Sequence, residues 1–230
     1  MMFRYRMMYA KEGPAKYISH LDLIRAFERA ARRAGLPIAF TQGFNPHPKL
    51  SFAAPLAVGT AGAAEFADME LSQNIPAGNV AKSLSVAMPE GLRVLEARPL
   101  AQSAPALMAI VDRAAYTARA VLETPPQNET LASAVAGFLA RPEIQVERRS
   151  KRGGMRKYDI KPGIFALSAY MNNVIIEVTA ELKTGSSGNI RCEELIAAFM
   201  EDSGLTARGN FVISRRALFA AGRSAQEMLW

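Results

Sequence analysis

At 230 residues, half of them apolar, the chain has length for one large domain or two of about 100 residues each, with a real core. Its 28 Lys and Arg against 21 Asp and Glu give a formal net charge of +7 and a pI near 9.8, which favours a polyanionic partner. The lone Cys192 and two distant histidines leave no internal disulfide, no disulfide partner and no Cys- or His-based metal site, so no metal and no cofactor is expected, and without a long apolar run or a signal-peptide core the chain reads as a cytoplasmic protein with no membrane partner.

Residues 2–10 alternate apolar and polar and predict a strand, which Gly13-Pro14 breaks. Ser19 with Asp22 three residues on reads as a short-chain capping box. Leu23, Ile24, Phe27, Ala30, Ala31 and Ala34 follow at helical spacing, and Gly35-Leu36-Pro37 ends that helix. Its other face carries Arg25, Glu28, Arg29, Arg32 and Arg33. Pro37 to Thr41 predicts a short strand, Ala64 to Leu71 a half-buried one, Pro76 to Met88 a helix and Leu92 to Leu100 a strand. Residues 101–106 are the candidate linker.

The pattern then runs again. A strand lies within Met108–Leu122, Asn128 caps a helix to Ala140, and strands follow at Ile144–Arg149, near Arg156–Ile160 and within Ile164–Leu182. Arg191–Met200 predicts a helix and Phe211–Phe219 a last strand. The expected fold is α+β: two ferredoxin-like β-α-β-β-α-β halves, 1–104 and 105–230, with antiparallel sheets, helices on one face, and an extra hairpin in the second half.

The most unusual stretch is 42–59. Gly43 and Gly59 end it, and Pro46, Pro48 and Pro55 exclude a regular helix or central strand. Phe44, Leu50, Phe52, Leu56 and Val58 make it too apolar for a solvated linker. One reading is a packed loop that only covers a sheet; the other is a binding loop in which Gln42, Gly43, Phe44, Asn45, Pro46, His47, Pro48 and Lys49 border a pocket. Ser19-His20-Leu21-Asp22 does not form a triad, because neighbours in a first helical turn point apart and Ser19 and Asp22 serve the cap. His20 and His47 remain the candidate catalytic residues, should the helix and the loop bring them together.

The second basic element is 148–161. Arg148, Arg149, Lys151, Arg152, Arg156, Lys157 and Lys161 surround a Gly153-Gly154 turn, and Tyr158 is placed to stack on a base. Such a ribbon follows a phosphate backbone; the plainer reading is an edge strand blunted by charge. With Arg25, Arg29 and Arg32 of the first helix, these are the expected RNA contacts.

Tyr17-Ile-Ser-His-Leu-Asp-Leu23, Arg29 through Pro37, Gln42 through Phe52, Pro55 through Gly59 and the hairpin leading to Tyr158-Asp-Ile-Lys-Pro162 resemble the radical-SAM-linked protein family, a bacterial domain-of-unknown-function family. The resemblance spans most of the chain; Ala53-Ala54 departs from it, where a glycine or proline is expected. It implies a partner: a radical S-adenosylmethionine protein with a cobalamin-binding-like domain, encoded beside the family member or fused to it. With one cysteine, this chain would be the accessory half and not the cluster-bearing enzyme. The expected function is an RNA-binding accessory subunit in RNA modification or ribosome-related processing. The alternatives are a small-molecule or nucleotide enzyme using His20 and His47, and a docking scaffold for the radical-SAM partner.

Overall fold

The computed structural model describes residues 2–150, 153–220 and 223–224. The chain is α+β and forms two compact units, Met1–Asp112 with Arg215–Trp230, and Arg113–Ser214.

The first unit contains β1 (Phe3–Lys11), α1 (His20–Arg33), β2 (Leu50–Phe52), β3 (Ala61–Leu71), α2 (Ala77–Ala87), β4 (Leu92–Leu100) and the short α3 (Leu107–Ile110). β1 is central, antiparallel to β3 on one side and β4 on the other, and β2 adds to β3. Tyr5, Met7 and Tyr9 point to one face of β1 and meet Leu23, Phe27 and Ala30 of α1 and Val80 and Leu84 of α2, so both helices cover the same face. Ser19 caps α1 as its sequence predicts: its Oγ accepts the Asp22 N–H at 3.1 Å and bonds the Asp22 carboxylate at 2.7 Å. Gly35 follows the helix at φ +66, a left-handed conformation that L side chains rarely adopt.

Three expectations change here. The strand expected at Pro37–Thr41 is reduced to isolated bridges, Ile38 to Leu71 and Phe40 to Pro48, and the ladder beside β3 is supplied by Leu50–Phe52. β3 is buried on both faces, not one: Glu65 and Asp68 are 1 % and 4 % exposed, because each meets arginines from elsewhere in the unit. Residues 101–105 are not free linker. Arg4 Nη1 donates to the carbonyls of Gln102 and Ala104 at 3.2 and 2.9 Å, and Arg6 Nη2 to Pro105 at 3.3 Å. Asp68 holds both guanidinium groups, so these arginines fasten the segment to β1.

The second unit takes in most of β5 (Val111–Val121), then α4 (Asn128–Ala140), β6 (Gln145–Arg149), β7 (Met155–Asp159), β8 (Ile164–Asn172), β9 (Ile175–Lys183) and α5 (Cys192–Ser203), and ends in the first residues of β10 (Val212–Ala220). The remainder of β10 belongs to the first unit, where it lies beside β3 and pairs with the two-residue β11 (Arg223–Ser224). β9 pairs antiparallel with both β5 and β8. Setting the β6–β7 hairpin aside, the chain order is again β-α-β-β-α-β. Alternate residues of β5 and β9, among them Ala114, Ala118, Ile176, Val178 and Leu182, are buried, and Phe138 of α4 meets Phe199 of α5 edge to face with centroids 5.5 Å apart. Asn128 does not cap α4: its side-chain oxygen accepts the Met171 N–H of β8 at 2.7 Å, and Gln127 holds the cap position. No described helix is long and apolar enough to cross a membrane.

Candidate nucleic-acid interface

β6 and β7 form a two-stranded antiparallel ribbon with Val146 opposite Tyr158, Glu147 opposite Lys157, Arg148 opposite Arg156 and Arg149 opposite Met155. The Gly153-Gly154 turn works because both residues adopt positive φ, +86 and +81, and the Ser150 N–H donates to the Gly154 carbonyl at 2.9 Å. Lys151 and Arg152 lie outside the described residues.

Two of the basic side chains hold the ribbon in place. Arg148 makes a bidentate pair with Glu194 of α5, Nε to Oε1 at 2.8 Å and Nη2 to Oε2 at 2.5 Å. It also donates to the Asn189 carbonyl at 3.1 Å, and its guanidinium lies 5.2 Å from the centre of the Tyr158 ring. Lys161 Nζ donates to the carbonyls of Leu139 and Arg141 at the C-terminal end of α4, where a cation also complements the helix dipole. Arg149, Arg156 and Lys157 are exposed, as is Tyr158, so the most exposed cations sit on a ribbon anchored by the half-buried ones. A cavity of about 710 Å³ in the same unit is lined in part by Glu143, Glu201 and Asp202, and by Arg141, which pairs with Asp202 at 2.7 Å.

On α1, Arg25, Arg29 and Arg32 are exposed. Arg25 pairs with Asp22 at 3.2 Å and Arg32 with Glu28 at 2.8 Å, surface pairs that a phosphate displaces at small cost. Arg33 turns away and donates to the Ala87 carbonyl at the end of α2.

The 42–59 stretch divides in two. Gln42, Gly43, Phe44, Asn45, Pro46 and His47 form an exposed tip, with Pro48 and Lys49 half-buried behind it. The tip is closed at its base, because the Thr41 N–H donates to the His47 carbonyl at 2.9 Å and the His47 N–H donates to the Thr41 hydroxyl at 3.0 Å. Lys49 is bound to Glu70 at 2.8 Å. At Phe52, Ala53 and Ala54 the stretch turns inward, and Pro55, Ala57 and Val58 return to the surface. Phe52 packs edge to face against Tyr9, Phe27 and His20, with centroids 5.9, 5.4 and 5.3 Å away. Thus His20 is placed by Phe52, while His47 is placed by Thr41 at the base of the tip. Burial, and next the Lys11 charge, hold the His20 imidazole below the usual histidine range.

Beneath residues 53–59 lies a buried set of charges. Arg215 binds Glu65 through Nε at 2.8 Å and Nη2 at 2.5 Å, and Nη2 also donates to the Ala54 carbonyl at 2.9 Å. Lys11, 1 % exposed, donates to the carbonyls of Ile18 and Lys16 at 3.1 and 3.4 Å. Burial lowers the Lys11 ammonium and raises the Tyr9 phenol well above its ordinary value. Sequence patterning missed Lys11 and Arg215; for Arg215 the available signal was a charge at a strand position whose i±2 neighbours are apolar, as in Ile213-Ser214-Arg215-Arg216-Ala217, and for Lys11, the last residue of its strand, there was none of that kind. Burial, with Glu193 adding to it, pushes the Cys192 thiol up to about 12, so it is no nucleophile. Among the described residues no group of three or more His, Cys, Asp or Glu is placed to hold a metal ion.

A family model described as "Uncharacterized protein conserved in bacteria (DUF2344)" matches residues 4–192. No curated protein matches the chain. Among solved structures the chain is similar to one from a crystal structure of a Cbf5-Nop10-Gar1 complex, at 11 % identity and a TM-score of 0.50, over 96 % of this chain and 49 % of that one. At that identity the likeness shows the fold alone, and this chain spans about half the length of the one it matches. An unknown protein from Galdieria sulphuraria also matches, at 10 % identity over 94 % of this chain and 99 % of that one, but with a TM-score of 0.27 it carries no argument.

Proposed function

The chain belongs to the bacterial family described as "Uncharacterized protein conserved in bacteria (DUF2344)", and for it we propose the role of an RNA-binding accessory subunit. The observation that carries this reading is the ribbon β6–β7. It offers Arg149, Arg156 and Lys157 to solvent on a frame clamped by Arg148 and Glu194, with Tyr158 also exposed. A two-stranded ribbon that carries exposed cations contacts backbone phosphates without choosing a sequence. The exposed Arg25, Arg29 and Arg32 of α1 and the net charge of +7 support the same class of partner.

The enzyme served would be the radical S-adenosylmethionine protein with a cobalamin-binding-like domain that the sequence resemblance implies, acting in the cytoplasm on RNA modification or ribosome-related processing. With Cys192 as its one cysteine, this chain supplies no three-cysteine cluster site of its own, which suits a subunit that presents substrate to a partner.

Binding of the purified full chain to short single-stranded RNA, measured across a salt series, tests the proposal. Affinity falls steeply with salt, and replacing Arg149, Arg156 and Lys157 together by alanine flattens the log–log slope by about 2, roughly 0.7 for each lost phosphate contact. A chain that retains no RNA at low salt ends this reading.

A further inference from the structure

Phe44 is the most exposed large apolar side chain among the described residues, at 106 % of its reference area. Nothing in the fold requires it there, and leaving a phenyl ring in water forfeits the burial that Phe27 and Phe52 obtain. The backbone that carries it is nonetheless closely constrained. Gly43 sits at φ +126, where a side chain is strained, Pro46 and Pro48 restrict the returning segment, and the reciprocal Thr41 and His47 bonds close the base. Behind them Phe40 bridges Pro48, and the Lys49 N–H donates to the Ala39 carbonyl at 2.8 Å. An aromatic ring is thus held out from the surface on a closed support, flanked by the exposed hydrogen-bonding side chains of Gln42, Asn45 and His47.

We infer that this tip reads a single unpaired nucleobase of RNA, Phe44 stacking on its face while Gln42, Asn45 and His47 offer donors and acceptors to its edges. The inference rests on the RNA reading above and names the element that contacts a base as opposed to a phosphate. Two observations choose a base over other occupants. The only Lys or Arg of residues 42–49 is Lys49, and its ammonium is bound to Glu70, so the tip is not equipped to grip phosphate. A phenyl side chain offers about 200 Å², a quarter of the ~800 Å² that each partner buries in a stable protein interface. The area is small for a protein but sufficient for one base, since stacking needs only a ring face and is tolerant of which base arrives.

The test titrates the purified full chain with a labelled single-stranded oligouridylate, a single-stranded oligoadenylate and an RNA duplex, using wild type, Phe44→Ala, Phe44→Trp and the triple ribbon variant. Phe44→Ala weakens single-strand binding by roughly 5- to 150-fold at an unchanged salt slope, leaves duplex binding as it was, and keeps the wild-type unfolding temperature because the ring packs on nothing. Phe44→Trp restores single-strand affinity. The ribbon variant flattens the salt slope for all three RNAs. If Phe44→Ala binds single strands as wild type does while the ribbon variant is impaired, the inference is overturned and the RNA reading stands. The inference is overturned likewise if Phe44→Ala flattens the salt slope, or if it spares RNA affinity but loses a co-purifying protein. A wild-type chain that binds none of the three RNAs overturns both.

Discussion

Arg215 and Glu65 stand 150 positions apart in the chain and form a bidentate ion pair in which each side chain is 1 % exposed. The same guanidinium holds the Ala54 carbonyl, so one residue of β10 joins β10, β3 and the buried part of the 42–59 stretch, Phe52–Ala54. Two charges out of water are tolerable only because they have each other and a backbone acceptor.

Replacing either partner by alanine leaves the other buried and unpaired, a loss of about 3–5 kcal/mol in unfolding free energy. Urea denaturation of Arg215→Ala and Glu65→Ala measures it. The double replacement Arg215→Met with Glu65→Leu removes both charges, and its stability lies closer to wild type than either alanine variant. Single variants within experimental error of wild type would show that water reaches the pair.

The bond between Arg148 and Glu194 is the ribbon's main tether to α5. Glu194→Ala releases the guanidinium, costs on the order of 1–3 kcal/mol for a charge-assisted pair that is largely shielded, and lets the ribbon separate from the helix. Hydrogen exchange reports this locally: the amides of β6 and β7 lose protection, whereas those of β5 and β9 keep it. Retained protection in the ribbon would mean that β6–β7 pairing alone holds it.

His20 sets a pH dependence whose sign follows from the partial desolvation of its ring, which packs on Phe52 while the residue stays largely exposed, and from the Lys11 charge, both of which favour the neutral ring. The unfolded chain has an ordinary histidine, near 6.5. Below that value the unfolded state takes up the proton first, so the contribution of His20 to stability is complete above about pH 6.5 and is lost as pH falls through the lower folded value. An NMR titration places the His20 midpoint below 6.5, and His20→Gln makes the unfolding midpoint less sensitive to pH between about 7 and 5. A His20 midpoint above 6.5 would contradict the packing described.

Much of the fold is readable from local pattern. The helical spacing of Leu23, Phe27, Ala30 and Ala31, with Ser19 before it and Gly35 after, delimits α1 to within a residue or so. The basic run around Gly153-Gly154 likewise announces a hairpin. These signals act over a few residues and need no distant partner. Asn128 shows where local reasoning ends: an asparagine at a helix start is a natural cap, yet the Met171 amide of β8 takes its oxygen. Pro37–Thr41 shows the same for strands, since apolar residues alone do not supply a ladder when Leu50–Phe52 takes the place beside β3.

Composition and motif alone determine that the chain is basic, that it has one cysteine, and that residues 42–59 are neither helix nor ordinary linker. Which cations are free is a tertiary matter. Arg148 and Arg149 are neighbours of one type, but the alternation of a strand sends one to Glu194 and the other to solvent, and only the packing of α5 decides which. The two halves of the 42–59 stretch separate for the same reason. Phe52 finds Tyr9, Phe27 and His20 within ring contact and is buried, while Phe44, held on a closed turn beyond their reach, has only solvent beside it.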